Sequence, residues 1–190
     1  MACRASLENW SVRKGSAGSF PVISAMDCKD KNIFGDIQRQ QIRYWRWQRK
    51  ENNIKIGWCC SSFDLLHAGH ALMLRDCRKQ CDVLLVGLQT DPTIDRPEKN
   101  KPIQSFEERK IVLADNRCVE DVIEYQTECD LAQILGLLLP DVRILGSDWK
   151  GKEFTGIDLP IQIYWHERNH NWSTSELRKR IYLAEKMNEN

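Results

Sequence analysis

Two histidines held two residues apart, in His67-Ala68-Gly69-His70, are the feature of this chain that points most directly to chemistry. An apolar run and then Ser62-Phe63-Asp64 precede them, and an apolar-periodic stretch follows. That order describes a strand, a turn, and a helix whose first turn carries both imidazoles on adjacent faces. A helix N-terminus offers free N–H groups and the positive end of the helix dipole, so it attracts phosphate. Gly69 lacks a Cβ and lets a bulky anion approach the backbone. Imidazoles held there donate to phosphoryl oxygens and stabilise charge that builds at phosphorus. The plainer reading, two surface histidines on an ordinary helix, is weakened by the strand and by Phe63-Asp64 in front.

A second cluster lies near the end of the chain, in Arg168-Asn169-His170-Asn171-Trp172-Ser173-Thr174-Ser175. Ser173, Thr174 and Ser175 at a capped helix start form an anion cradle, and Arg168 adds a bidentate charge suited to a polyphosphate. Simple capping needs only Ser173 with Glu176. A third cluster, Gly146-Ser147-Asp148-Trp149, ends an apolar strand. There Asp148 accepts from an exocyclic amino group and Trp149 packs on or near a base. Lys99, Lys101 and Arg109 supply further positive charge. Arg109 opposes the dipole at a helix start, which favours a ligand role over decoration.

These groups need a scaffold, and the sequence supplies strands at 54–60, 83–88, 119–125, 142–146 and 161–165. Near-continuous apolar runs suit parallel strands buried on both faces. Helices fall between them, with capping boxes expected at Ser105 with Glu108, Asp130 with Gln133, and Ser173 with Glu176. The expectation is an α/β fold, a Rossmann-like doubly wound five-stranded parallel sheet in a single domain (53–190) with an N-terminal extension (1–52). Ligands of such sheets sit beyond the carboxyl ends of the strands, at the switch point.

The extension carries ten Lys/Arg against five Asp/Glu, while the rest of the 190-residue chain is mildly acidic and the net charge is +1. Residues 1–32 lack periodicity and read as disordered. Residues 33–51 read as a helix whose interleaved aromatic and basic residues either pack on the domain or serve an acidic partner. Nothing global argues for nucleic-acid binding. No signal peptide or membrane span is evident, so a cytoplasmic protein with reduced thiols among its eight scattered cysteines is expected. Cys77 and Cys81 lie one turn apart without a second ligand pair, so no metal site is expected.

Together these segments resemble the HxGH signature and flanking motifs of the cytidylyltransferase-like nucleotidyltransferase superfamily, over roughly residues 54–182. Within it the likeness is greatest to glycerol-3-phosphate cytidylyltransferases. Gln89-Thr90-Asp91, the Lys99–Pro102 loop, Ser105–Lys110 and Leu145–Lys152 look like its S-T-D, lysine-rich, S-Y-E-x-R-K and M-G-D-D-W-x-G-K segments. Arg168–Ser175 matches its R-T-E-G-I-S-T-T motif, with Asn171 for glycine, Trp172 for isoleucine and, earlier, Ser147 for aspartate.

The resemblance implies in-line transfer of a cytidylyl group from CTP, with Mg²⁺, to glycerol 3-phosphate or a similar phosphorylated alcohol. It implies His67, His70, Lys101 and Arg168 as catalytic residues. Ser62, Phe63, Asp64, Gly69, Arg109, Gly146, Asp148, Trp149, Ser173, Thr174 and Ser175 would bind nucleotide. A homodimer is also implied. The alternatives are an adenylyltransferase of the ADP-heptose type, which shares the FDxxHxGH signature, and a non-catalytic nucleotide-binding module. The Asp148-Trp149-x-Gly151-Lys152 segment favours the cytidylyl branch.

Overall fold

The apolar runs form strands β1 (Ile56–Ser61), β2 (Val83–Gln89), β3 (Asp121–Tyr125), β4 (Val142–Gly146) and β5 (Gln162–His166) in a computed structural model that describes residues 35–188. All pair in parallel, in the order β3-β2-β1-β4-β5. Helices α1 (Asp36–Asn52), α2 (Ala68–Arg78), α3 (Phe106–Ala114), α4 (Glu128–Leu138) and α5 (Thr174–Asn188) complete the described chain. One core layer packs α1 and α4 on Ile56, Trp58, Leu85 and Ile123. The opposite layer holds Leu74 and Cys77 of α2 and Leu113 of α3 against Cys59, Leu84 and Val86. Helices on both faces explain why β1 and β2 read as unbroken apolar runs rather than alternating ones. This is the doubly wound Rossmann-like sheet expected.

The strand order reverses at β1, which lies between β2 and β4. β1 pairs with β2 over six positions but with β4 only at Gly57–Val142 and Trp58–Arg143. Beyond Trp58 and Arg143 the two strands part, and each carries its remaining residues to the carboxyl edge without the other. Helices that leave adjacent strands toward opposite faces open a crevice there.

Residues 36–52 form the helix expected for 33–51, and it packs on the domain. Ile42 and Trp45 are buried, three residues apart on one face. The Trp45 indole donates to Asp121 Oδ2 at 2.8 Å, and Arg49 reaches Asp141 at 2.6 Å and the Leu139 carbonyl at 2.9 Å. Tyr44 and Trp47 stay exposed.

Capping differs from expectation in one place. The Ser105–Glu108 box is present, and Ser173 Oγ accepts from Glu176 N. α4 starts earlier than Asp130, however. Thr127 is its cap, and Asp130 Oδ2 reaches back to the Thr127 N–H at 2.8 Å. A threonine in extended conformation competes better for the orphan N–H groups than an aspartate already inside the first turn.

Cys59, Cys60, Cys77, Cys81 and Cys118 are free thiols, and the Cys81 thiol donates to the Cys77 carbonyl. Cys129 is disulfide-bonded, a departure from the reduced thiols expected; it is half-exposed in the first turn of α4, where a thiol is accessible to oxidation. The disorder expected for residues 1–32, and Cys3 and Cys28, lie outside the described residues. Among the described residues no helix is long and apolar enough to cross a membrane.

Trp45→Ala is expected to lower the unfolding free energy by about 3–5 kcal/mol, the usual cost of deleting a buried tryptophan. A shift in the urea midpoint measures it, and an unchanged midpoint would mean that α1 is not part of the cooperative core.

Candidate active site

The two histidines cap their own helix. His67 is the N-cap of α2, and its Nδ1 accepts from Gly69 N at 3.0 Å. His70 Nδ1 faces the His67 N–H in turn, at 3.5 Å. The arrangement is a capping box made of imidazoles in place of serine and glutamate. The rings stack with centroids 4.0 Å apart and planes inclined by 25°.

This geometry has two chemical consequences. A neutral imidazole that accepts at Nδ1 carries its proton on Nε2, so the backbone selects the same tautomer in both rings. The rings are also kept neutral. Burial, then the neighbouring His67 and Arg168, push His70 down to about 3 against the opposing pull of Asp64. Burial, then His170, Arg168 and Arg180, lower His67. At neutral pH the site therefore presents two Nε2–H donors beside a helix N-terminus. His67 Nε2 lies 3.4 Å from Thr174 Oγ1 in the first turn of α5, which joins the two motifs.

Gly69 is needed for a different reason than anion approach. A Cβ there would lie 2.8 Å from His170 Cε1 and 3.0 Å from the Trp172 carbonyl. The 168–173 loop packs directly onto the motif, with His170 stacked on Trp172 at 5.2 Å. Gly146 similarly makes room for the Asp148 carboxylate, whose Oδ1 sits 2.3 Å from where a Cβ would be.

Asp64 holds the surrounding loops. Its Oδ1 accepts from the backbone of Ile103 and of Gln104, each at 3.0 Å, and its Oδ2 from Arg178 at 3.3 Å. Its carbonyl accepts from Thr174. To place that carboxylate inward, Phe63 and Leu65 on either side adopt left-handed φ values of 48° and 47°. Such conformations cost roughly 1–3 kcal/mol each and persist where surroundings over-determine them. The Phe63 ring, fully buried, supports His70 at 5.3 Å.

Arg109 is not an open cation. It is 2% exposed, and its guanidinium donates to the carbonyls of Ser62, Gln89 and Thr90 at 2.6–2.7 Å. A buried guanidinium bonded to carbonyls from two segments, Ser62 and Gln89–Thr90, braces the wall of the site. The cost of opposing the α3 dipole is met by these carbonyls instead of by a ligand.

A cavity of about 480 Å³ occupies the crevice between the parted ends of β1 and β4. Ser62, Asp64, Asp148, Trp149, Arg168, Thr174 and Ser175 line it, so the structure brings together seven of the sequence-derived candidates from four segments. Phe63, Gly69, His67, His70, Lys101, Arg109, Gly146 and Ser173 are not among its lining residues; the histidines reach its edge through the contact of His67 with Thr174. The Lys101 ammonium is exposed at the rim, 3.9 Å from Asp91, while Lys99 reaches the lining. Arg178 was missed by sequence reasoning. It lines the cavity and donates to Asp64 and, at 2.9 Å, to the Lys101 carbonyl. Its spacing of four from Thr174 puts both on one helical face, a signal the sequence does contain. Among the described residues no three carboxylate, thiol or imidazole groups converge to hold a metal ion.

A split parallel sheet with an imidazole-capped helix at its switch point defines an α/β nucleotidyltransferase domain. Residues 58–180 match the family model described as cytidylyltransferase-like. The bifunctional protein HldE of Granulibacter bethesdensis is 31% identical over 157 residues, which cover 82% of this chain and 29% of that protein. HldE of Wolinella succinogenes is 32% identical over 146 residues, 76% of this chain and 31% of that protein. The chain thus spans under a third of the length of these relatives. In fold it is similar to the lipopolysaccharide core biosynthesis protein of Thermoplasma volcanium (TM-score 0.52, 23% identity, 62% of this chain and 99% of that one). It is also similar to a pantoate-beta-alanine ligase of Francisella tularensis (TM-score 0.50, 14% identity, 78% and 76%). The chain belongs to the cytidylyltransferase-like family.

The depressed His70 pKa makes stability depend on pH. The unfolded chain, with an ordinary value near 6.5, binds the proton more readily than the folded one. Stability is therefore full above that value and is lost as pH falls toward about 3. Urea unfolding of the native protein is expected to weaken more steeply below about pH 6 than that of His70→Gln, by at most roughly 1.4 kcal/mol per pH unit. Parallel curves would refute the neutral, buried state of His70.

Proposed function

We propose that this domain transfers an adenylyl group from ATP to a sugar phosphate, releasing pyrophosphate. The observation that carries nucleotidyl transfer is the pair of neutral imidazoles, locked as Nε2–H donors at the start of α2 and joined through Thr174 to the α5 hydroxyls. An oxygen of the acceptor phosphate bonds to the α-phosphorus, and the bond from that phosphorus to the bridging oxygen of pyrophosphate breaks in line. No proton need be abstracted from a phosphate already ionised at neutral pH, so the protein positions the reactants and disperses charge. His67 and His70 donate to the non-bridging oxygens as charge builds there. Arg168, Ser175 and the N-terminus of α5 receive the β- and γ-phosphates. Mg²⁺ would be carried in with the triphosphate and would neutralise part of its charge, while Arg168 and Ser175 hold the phosphates.

The choice of ATP and a sugar phosphate rests on the HldE relatives and on the FDxxHxGH signature shared with the ADP-heptose type. The cytidylyl reading keeps one specific support, the Asp148-Trp149-x-Gly151-Lys152 segment, whose Trp149 lies in the cavity wall where a base would stack. Pyrophosphate release measured with each of four triphosphates against a panel of phosphorylated acceptors separates the two. Turnover with ATP is expected, and CTP-only turnover would replace this reading with the cytidylyl one. His67→Ala is expected to lower kcat by about 10²–10³, the range for one lost transition-state donor. Undiminished product formation by that variant would leave the domain without a catalytic role for the motif.

A further inference from the structure

Arg143 belongs to none of the motifs, yet it is charged, mid-strand and only 3% exposed. It occupies the last position at which β4 pairs with β1, opposite Trp58, so it stands at the root of the crevice. Its guanidinium lines the cavity, lies 5.2 Å from the Phe154 ring, and donates from Nη1 to the Thr155 carbonyl. Its Nε has no partner, and it makes no ion pair among the described residues. Withdrawing a guanidinium from water costs several kcal/mol, and one carbonyl with one ring offsets only part of that.

The groups around it do not redress this imbalance. Glu128 spends its carboxylate on Arg96, at 3.1 Å, and on the Thr155 hydroxyl, and its own N–H donates to Asp95 Oδ2 at 2.6 Å. Arg96 also donates to Gln89 Oε1 at 2.6 Å. What remains unpartnered is Nε of Arg143, Nε of Arg96 and Oδ1 of Asp95. Of the two guanidinium groups, Arg96 has a carboxylate partner and Arg143 has none among the described residues. Arg96, Glu128, Arg143 and Thr155 all line the same cavity as Trp149, Arg168 and Ser175, but Arg96 comes from the turn after β2, Glu128 from the start of α4, Arg143 from β4 and Thr155 from the loop after Trp149.

We infer that Arg143 is a specificity-determining residue: it receives the end of the acceptor remote from the reacting phosphate, and that end presents oxygen acceptors rather than an ammonium group. Hydroxyls of a sugar or polyol, or a carboxylate, would offset the charge of the unpaired Arg143 guanidinium, whereas an ammonium head would meet a buried like charge. The inference rests on the reading that this domain transfers a nucleotidyl group to a phosphorylated alcohol.

Initial rates of pyrophosphate release from the full chain, at saturating triphosphate, test it. The acceptors are glucose 1-phosphate, glucuronic acid 1-phosphate, glycerol 3-phosphate and ethanolamine phosphate. The native protein is expected to use an oxygen-rich acceptor and to reject ethanolamine phosphate. A preference for glucuronic acid 1-phosphate over glucose 1-phosphate would identify a carboxylate as the bound group, and the reverse preference would identify hydroxyls. Arg143→Met is expected to raise the KM for the best acceptor roughly tenfold or more, the loss of a charge-assisted hydrogen bond. The triphosphate KM should stay within about twofold, and Arg143→Lys should recover part of the loss. Arg143→Gln, which keeps a donor without the charge, gives the same comparison should the methionine variant fail to fold. The inference is overturned if acceptor KM is unchanged in these variants, if triphosphate KM rises in parallel, or if ethanolamine phosphate turns over as well as the others. Absence of turnover by the native protein with every pair would sink the nucleotidyl-transfer reading itself; turnover with indifferent Arg143 variants sinks this inference alone.

Discussion

The site depends on one buried carboxylate. Asp64 gathers the catalytic loop, the Ile103–Gln104 backbone and α5 around two oxygens, and its carbonyl takes Thr174 as well. These segments are separated by up to 114 residues in sequence, and bonds from Leu65 to Gln104, His67 to Thr174 and Arg178 to the Lys101 carbonyl add to the same junction. A carboxylate that accepts several hydrogen bonds to its charged form can sit in a low-dielectric place that would otherwise expel it. The left-handed φ values at Phe63 and Leu65 are the local cost of aiming it inward.

Arg109 performs the same service on the opposite wall. Its guanidinium ties the carbonyl of Ser62, immediately before the motif, to those of Gln89 and Thr90 after β2. One buried anion and one buried cation therefore brace the loops from two sides without forming an ion pair with each other. Arg168 and Lys99, both exposed, remain as open cations on the cavity lining.

Much of the architecture was legible because it rests on local patterns. Five apolar runs became five parallel strands within about two residues of their expected ends, and the histidine pair opened a helix as its spacing implied. What local pattern could not supply was the identity of distant partners. Asp64 reads as a ligand to the nucleotide, and its hold on Ile103, Gln104 and Arg178 leaves no local mark in the sequence. Arg109 reads as unfavourably placed against a helix dipole, and so as a ligand, until its carbonyl partners some 20 to 47 residues away come into view. Arg143 looks like a strand residue that has strayed into a core. Only the parting of β1 from β4 shows that its neighbour is a cavity. The start of α4 was misplaced for a smaller reason: Thr127 and Asp130 both suit a cap, and backbone conformation decides between them.

The self-capping of α2 carries a consequence for how the signature tolerates change. Each imidazole keeps its Nε2–H free of the backbone while its Nδ1 supports the start of α2, so neither position can vary without disturbing the helix end. A replacement that imitates the hydrogen bond to the backbone loses the ring donor, and one that imitates the donor elsewhere in the ring releases the helix end. The backbone support and the ring donor are therefore two properties of one pair of side chains, and a substitution at either histidine alters both.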